Sequence, residues 1–162
     1  MSTLIFGGTG FIGRRLVPLL VQRGEEVVCM DINPGTASYG HLGKQVQVVR
    51  GDVTQFDDVV AATAAAKPTR VVNLAYFLGS EHAPHVATKL NIIGMDNCFE
   101  AARLCGVNRV VFASSLAVSG EQHHYGERAV TLKTISATAT CNTRCTRSST
   151  SGRRRTITRN TA

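Results

Sequence analysis

The sequence predicts a doubly wound α/β fold, a parallel sheet with helices on both faces. Three observations carry this. Five short apolar runs rich in Val, Ile and Phe alternate with segments of helical periodicity. Gly7, Gly10 and Gly13 form a Gly-x-x-Gly-x-x-Gly turn between the first run and the first helix. An acid, Asp31, closes the second run. Continuous apolar runs suit parallel strands covered on both sides, and right-handed crossovers then give the strand order 3-2-1-4-5.

The strands are expected over residues 2–6, 26–31, 46–50, 70–75 and 109–114. The first helix should run from Phe11 to Arg23 with Ile12, Leu16, Leu19 and Leu20 on its apolar face. Pro18 removes one helical N–H, so a kink is expected there. Thr54, with Asp57 three residues on, reads as a cap opening a helix over 55–66. A longer helix, Lys89 to Leu104, should close at Gly106. In such a sheet, ligands bind beyond the carboxyl ends of the strands, here strands 1, 2 and 4.

The glycine turn gives that position a chemistry. Glycines let the backbone turn sharply after Leu4-Ile5-Phe6, let a pyrophosphate approach the main chain, and let helix and strand pack closely. The helix N-terminus, at Phe11, Ile12 and Gly13, offers N–H groups and a partial positive charge. Asp31 lies 18 residues after Gly13, near where a dinucleotide fold places the carboxylate that holds the adenosine ribose. The order of strand, glycine turn, helix, strand and acid points to a Rossmann-type dinucleotide site. The competing reading is a structural turn and a solvated Asp. Asp31 favours NAD over NADP, because it repels a 2′-phosphate and Ile32-Asn33-Pro34 supply no Arg to neutralise one.

Bulk properties bound the partners. The 162 residues suffice for one domain with a core, and 43% are hydrophobic. No apolar run is long enough for a bilayer, the chain enters a strand at once with no secretory signal, and five scattered cysteines suit a reducing cytoplasm. Cys29, Cys98 and Cys105 read as core thiols. Cys141 and Cys145 lack accompanying ligands for a metal. Residues 1–130 hold 11 basic and 11 acidic residues, so the net charge of +7 resides in Lys133 and six arginines beyond it. That basic stretch has no aromatic residue and no recognisable nucleic-acid motif, so no nucleic-acid partner is expected.

Further motifs fall in order along the chain. Gly51-Asp52-Val53 follows strand 3, and Asn73-Leu74-Ala75 ends strand 4. Asn91-Ile92-Ile93-Gly94-Met95-Asp96-Asn97 lies on the long helix. Val111 to Gly120 covers strand 5 and the turn after it. Together with the glycine turn and Asp31, they make the first 130 residues resemble the extended short-chain dehydrogenase/reductases, the NAD-dependent epimerase/dehydratase family. The resemblance implies hydride transfer between NAD and a substrate hydroxyl, commonly on a nucleotide sugar. It implies that Asp52 and Val53 meet the adenine and that Leu74, Ala75 and Tyr76 line the nicotinamide side. It also implies that Ser115 hydrogen-bonds the substrate oxygen being oxidised. Asn91 would hold a structural water or a strand end, and Gly94 would allow close helix approach. Asn73 stands where the family usually has His, and Ser119 where it usually has Tyr. His123 and His124 read as solvated loop residues.

The family's Tyr-x-x-x-Lys pair is missing. In the family the Tyr serves as general base, its pKa lowered by the Lys. Tyr125-Gly126-Glu127-Arg128-Ala129 has no Lys at the fourth position, and Lys133 has no Tyr before it. Little turnover is therefore expected, and a non-catalytic NAD(P)-binding module of the same fold is the alternative. Strand 5 should form an exposed edge in a sheet truncated after five strands, with Val110, Val111 and Phe112 poorly covered, which favours marginal solubility.

Composition breaks near Val130. Residues 131–162 hold ten Thr, six Arg and four Ser, with no acid and no aromatic, and are expected to be disordered. The break falls where the Tyr-x-x-x-Lys segment is due, as a shifted reading frame would produce. One allowed choice of codons from Leu132 to Ser151, read one base early, encodes Tyr-x-x-x-Lys. Its Tyr codon straddles Asn142 and Thr143, and its Lys codon straddles Thr146 and Arg147.

Overall fold

The computed structural model describes residues 1–78 and 83–114. They fall into two compact units, one of Met1–Tyr76 with Ile93–Ala113, the other containing Phe77–Ile92.

The first unit is a five-stranded sheet of β1 (Ser2–Phe6), β2 (Glu26–Asp31), β3 (Val46–Arg50), β4 (Arg70–Asn73) and β5 (Arg109–Phe112). All neighbours are parallel and the order is β3-β2-β1-β4-β5, as the alternation of runs predicts. Central β1 supplies Leu4, Ile5 and Phe6, all fully buried, beside Val27, Cys29 and Met30 of β2 and Val71 and Val72 of β4. At about 25 cal/mol per Å² of apolar surface, each such side chain contributes about 1.5–3 kcal/mol. The fourth and fifth strands end two residues earlier than expected. In β4 the cause is local: the Asn73 Oδ1 accepts the Ala75 N–H at 2.9 Å and turns the chain out of the sheet. Among the described residues β5 is an edge, with Val111 42% exposed and the Phe112 ring edge-on to Phe99 at 5.7 Å.

Helices α1 (Gly13–Gln22), α2 (Phe56–Ala66) and α4 (Gly94–Leu104) belong to the same unit. Helix α1 continues through Pro18 without interruption. Its buried face is Gly13, Val17 and Leu20, with Leu16 partly covered, whereas Ile12 and Leu19 are 52% and 56% exposed. The expected face is thus turned, because Gly13, whose lack of a side chain seats it against Gly8, faces inward. Residues 13, 17 and 20 then share one stripe. Thr54 does not cap α2. Gln55 occupies that position without a side-chain bond, and Asp52 Oδ1 takes the Thr54 N–H at 2.8 Å instead. Helix α4 closes at Gly106, with φ +68°, the Cys105 N–H on Ala101 and the Val107 N–H on Ala102. Cys29 and Cys98 are core thiols as expected, but Cys105 is exposed at this helix end.

Before α4 the expected long helix divides. Helix α3 (Pro84–Thr88) starts earlier than Lys89, with Pro84 in the first turn where a missing N–H costs nothing. Lys89–Ile93 is a π-helical turn.

A polar cluster fastens the amino-terminal ends of the strands. The Thr3 hydroxyl donates to Glu25 Oε2 at 2.8 Å, and Arg70 donates to Thr3 Oγ1 from Nε at 3.3 Å and Nη2 at 3.0 Å while ion-pairing with Glu25. Burial alone raises the Glu25 pKa, but hydrogen bonds from Arg70 and Thr3 and the charges of Arg70 and Arg23 outweigh it and hold the carboxyl below its ordinary value.

Candidate dinucleotide site

At the opposite end of the sheet, the chain leaves β1 into the glycine turn. Gly7 has φ +74°, and a Cβ there would lie 2.8 Å from the Ala75 nitrogen. Both facts require glycine. Gly8 and Gly13 are required by packing. A Cβ on Gly8 would lie 2.7 Å from Cys29 Sγ, and one on Gly13 would lie 2.0 Å from the Gly8 carbonyl oxygen. Gly10 closes the turn, its N–H on the Gly7 carbonyl at 3.2 Å and its own carbonyl accepting the first helical bond, from Arg14 at 3.0 Å. Phe11, Ile12 and Gly13 thus lie in the first turn, where backbone N–H groups have no intrahelical acceptor. Phe11 is 78% exposed with the Arg15 guanidinium over its ring at 5.9 Å.

Asp31 ends β2 with its carboxylate tied to this turn. Oδ2 accepts the Thr9 N–H at 3.2 Å and Oδ1 the Asn33 N–H at 3.1 Å. The carboxylate therefore has a set orientation across the turn and retains acceptor positions on both oxygens. Buried Thr9 adds a bond from its hydroxyl to the Asn33 carbonyl at 3.2 Å.

Tyr39 is a residue the sequence reading missed. It is buried, and its hydroxyl donates to the Gly8 carbonyl at 2.7 Å. Burial, with Cys29 and Asp31 nearby, pushes the hydroxyl up to about 12, so it remains a donor at any physiological pH. Burial and Asp31 push the Cys29 thiol up to about 12 as well, leaving it unreactive.

In the Gly51-Asp52-Val53 motif, Asp52 accepts the Thr54 N–H on Oδ1, and its own N–H donates to Asp58 Oδ2 at 2.9 Å. Buried Val53 is set from α4. Asn97 Nδ2 donates to the Val53 carbonyl at 2.9 Å, and a Cβ on Gly94 would lie 2.9 Å from Val53 Cγ2. Gly94 thus gives the close approach expected of it, and Asn97 gains a role that its helix position did not reveal. After β4, Leu74, Ala75 and Tyr76 are half-buried, with the Leu74 N–H on the Phe6 carbonyl at 2.8 Å.

In the second unit, buried Asn91 clamps Phe77, donating to its carbonyl at 2.9 Å and accepting its N–H at 2.8 Å. This pair fastens the backbone at Phe77, four residues past the end of β4. Ser115, Ser119, His123, His124, Tyr125, Cys141, Cys145 and the 131–162 segment lie outside the described residues. Among the described residues no cluster of acids, His or Cys suits a metal, and no helix is long and apolar enough to cross a membrane.

Comparison with known proteins agrees with this geometry. Over 122 residues the chain is 33% identical to a UDP-glucose 4-epimerase of Mycolicibacterium smegmatis, covering 71% of this chain and 39% of that protein. It is 31% identical to a 3-beta-hydroxysteroid dehydrogenase of Mycolicibacterium neoaurum, over 71% of this chain and 32% of the relative. The solved UDP-glucose 4-epimerase of Thermus thermophilus, in complex with NAD, superposes with a TM-score of 0.81 at 29% identity, covering 99% of this chain and 51% of that one. The chain thus spans about two-fifths or less of the length of these curated relatives. A sequence model of the NAD dependent epimerase/dehydratase family matches residues 3–143, and with the glycine turn, the tethered Asp31 and the 3-2-1-4-5 sheet, the chain belongs to that family.

Proposed function

We propose that this chain binds NAD at the carboxyl ends of β1, β2 and β4 and carries the cofactor half of a hydride-transfer site for a nucleotide sugar or related hydroxyl substrate. The observation that carries the reading is the Asp31 carboxylate, held by the Thr9 and Asn33 N–H groups directly across the glycine turn. The residues fit the group. The turn is bare of side chains where a pyrophosphate needs the backbone, and the N–H groups of Phe11, Ile12 and Gly13 would hold it. Asp31 would accept from the adenosine ribose hydroxyls. Asp52 and Val53 would hold the adenine, and Leu74, Ala75 and Tyr76 would wall the nicotinamide side.

Bound NAD would supply the acceptor for a hydride. Ser115, by its place in the family motif, would hold the substrate oxygen through its hydroxyl. The proton on that oxygen needs a base, and none of the three tyrosines, Tyr39, Tyr76 and Tyr125, has Lys four residues on. Turnover is accordingly low. That same missing pair favours, as the second reading, a non-catalytic NAD(P)-binding module.

Calorimetric titration of the chain with NAD tests the binding. NAD should bind more tightly than NADP, since repulsion between a 2′-phosphate and Asp31 across 4 Å amounts to about 4 kcal/mol at an effective dielectric of 20. Asp31→Ala should narrow the gap. Failure to bind NAD, or equal binding of both nucleotides by the unaltered chain, refutes the assignment. Growth of NADH absorbance on adding a nucleotide sugar separates the enzymatic reading from the module.

A further inference from the structure

Beside Asp31 the structure shows a basic group that proximity in sequence does not reveal. Arg50 ends β3, and its Cα is the register partner of Asp31 on β2. The Gly51 N–H donates to the Asp31 carbonyl at 3.1 Å, which confirms that the two strand ends lie side by side. Adjacent strands lie about 4.8 Å apart, well within the reach of a guanidinium. Arg50 is exposed, and the two ion pairs among the described residues, Arg70–Glu25 and Arg103–Glu100, do not involve it.

Arg50 and the segment from Ile32 to Thr36 line one shallow, open cleft of about 540 Å³. Thr36 shapes it, its hydroxyl on the Asn33 carbonyl at 2.8 Å, and Asp31 Oδ1 holds the Asn33 N–H at its edge. The cleft thus opens next to the carboxylate assigned to the adenosine ribose. Its lining contains one cation and no acid. A group on the ribose 2′-oxygen that points away from Asp31 would enter it.

Resting on the NAD-site reading above, we propose that the Arg50 cleft is a phosphate subsite for the adenosine 2′-position. Asp31 sets the preference for the unphosphorylated nucleotide. Arg50 offsets part of its repulsion, so the chain also accepts the 2′-phosphorylated form. A planar guanidinium suits this role because it gives two parallel N–H donors to one phosphate.

The test uses ADP-ribose and 2′-phospho-ADP-ribose, which probe the adenosine half alone, titrated calorimetrically into the full chain and its variants. The unaltered chain should bind the phosphorylated probe about 100-fold more weakly than ADP-ribose, the roughly thousandfold repulsion from Asp31 less the tenfold that Arg50 returns. Arg50→Gln should weaken the phosphorylated probe about tenfold, the value of one charge-assisted contact, and move ADP-ribose less than twofold. Arg50→Lys should restore part of the loss. An equal loss for both probes makes Arg50 a general wall of the nucleotide site and overturns the proposal. So does no change for either probe, or a selective loss from Arg14→Gln in place of Arg50→Gln. Absence of ADP-ribose binding by the unaltered chain overturns the NAD-site reading itself, and the subsite with it.

Discussion

Replacing Gly13 with Ala places a methyl group in occupied space. The new Cβ would lie 2.0 Å from the Gly8 carbonyl oxygen, 2.5 Å from its carbon and 2.8 Å from its Cα. These are backbone atoms, and the loop holding them cannot retreat freely. Tyr39 grips the same carbonyl at 2.7 Å, and Cys29 fills the space behind Gly8. In an open helix, Gly to Ala stabilises by about 1 kcal/mol. Overpacking costs about 1–3 kcal/mol, at the upper end where no side chain can rotate away. The expected net loss is therefore about 2 kcal/mol, or a fall in Tm of about 4–8 °C for a chain of this size. Gly40→Ala is the control, because nothing lies within 4 Å of its Cβ position, and it should change stability by less than about 0.5 kcal/mol. Thermal unfolding followed by circular dichroism reads both. A Gly13→Ala chain that melts at or above the unaltered protein's temperature refutes the packing argument for this glycine.

Tyr39→Phe removes the hydroxyl from the Gly8 carbonyl and should cost about 1 kcal/mol while weakening NAD several-fold, and unchanged NAD affinity in calorimetry would deny Tyr39 its bracing role. Glu25 has a folded-state pKa below its unfolded value, so its contribution is complete above about pH 4.5 and is lost as pH falls through the lower folded value. Urea unfolding across pH 3–6 should show this acid limb, and Glu25→Gln should flatten it while costing about 1–3 kcal/mol at neutral pH; an identical acid limb in the variant argues against the assignment. For residues 131–162, the gene decides: a shifted frame that stays open and carries the Tyr and Lys codons supports a displaced catalytic segment, and an early stop in that frame ends the idea.

The strands were legible because their apolar runs are continuous and bounded by turns, which is why Ser2–Phe6, Glu26–Asp31 and Val46–Arg50 coincide with expectation. The carboxyl end of β4 and the start of α2 were not, because each is decided by a carboxamide or carboxylate choosing a backbone N–H two residues away. Asn73 and Asp52 could equally have faced solvent. Leu19 shows the limit of periodicity, since the rotation of a helix depends on where it is seated, and Gly13 seats α1. In the site, the glycines and Asp31 carry a spacing signal. Tyr39 sits in a stretch without pattern, and its partner lies 31 residues away. Arg50 carries no spacing signal for a related reason, because it is distant from Asp31 along the chain and is brought beside it only by the strand register.

The Thr3–Glu25–Arg70 cluster ties three strands together at the end of the sheet remote from the glycine turn. Two functions are thereby segregated along the strand axis. The carboxyl ends of β2 and β3 and the loops that follow can exchange residues, as at Asp31 and Arg50, while the frame beneath them stays fastened. In such a layout, cofactor selectivity drifts or is engineered by surface substitutions whose effect on folding is small, and the same frame can serve successive chemistries.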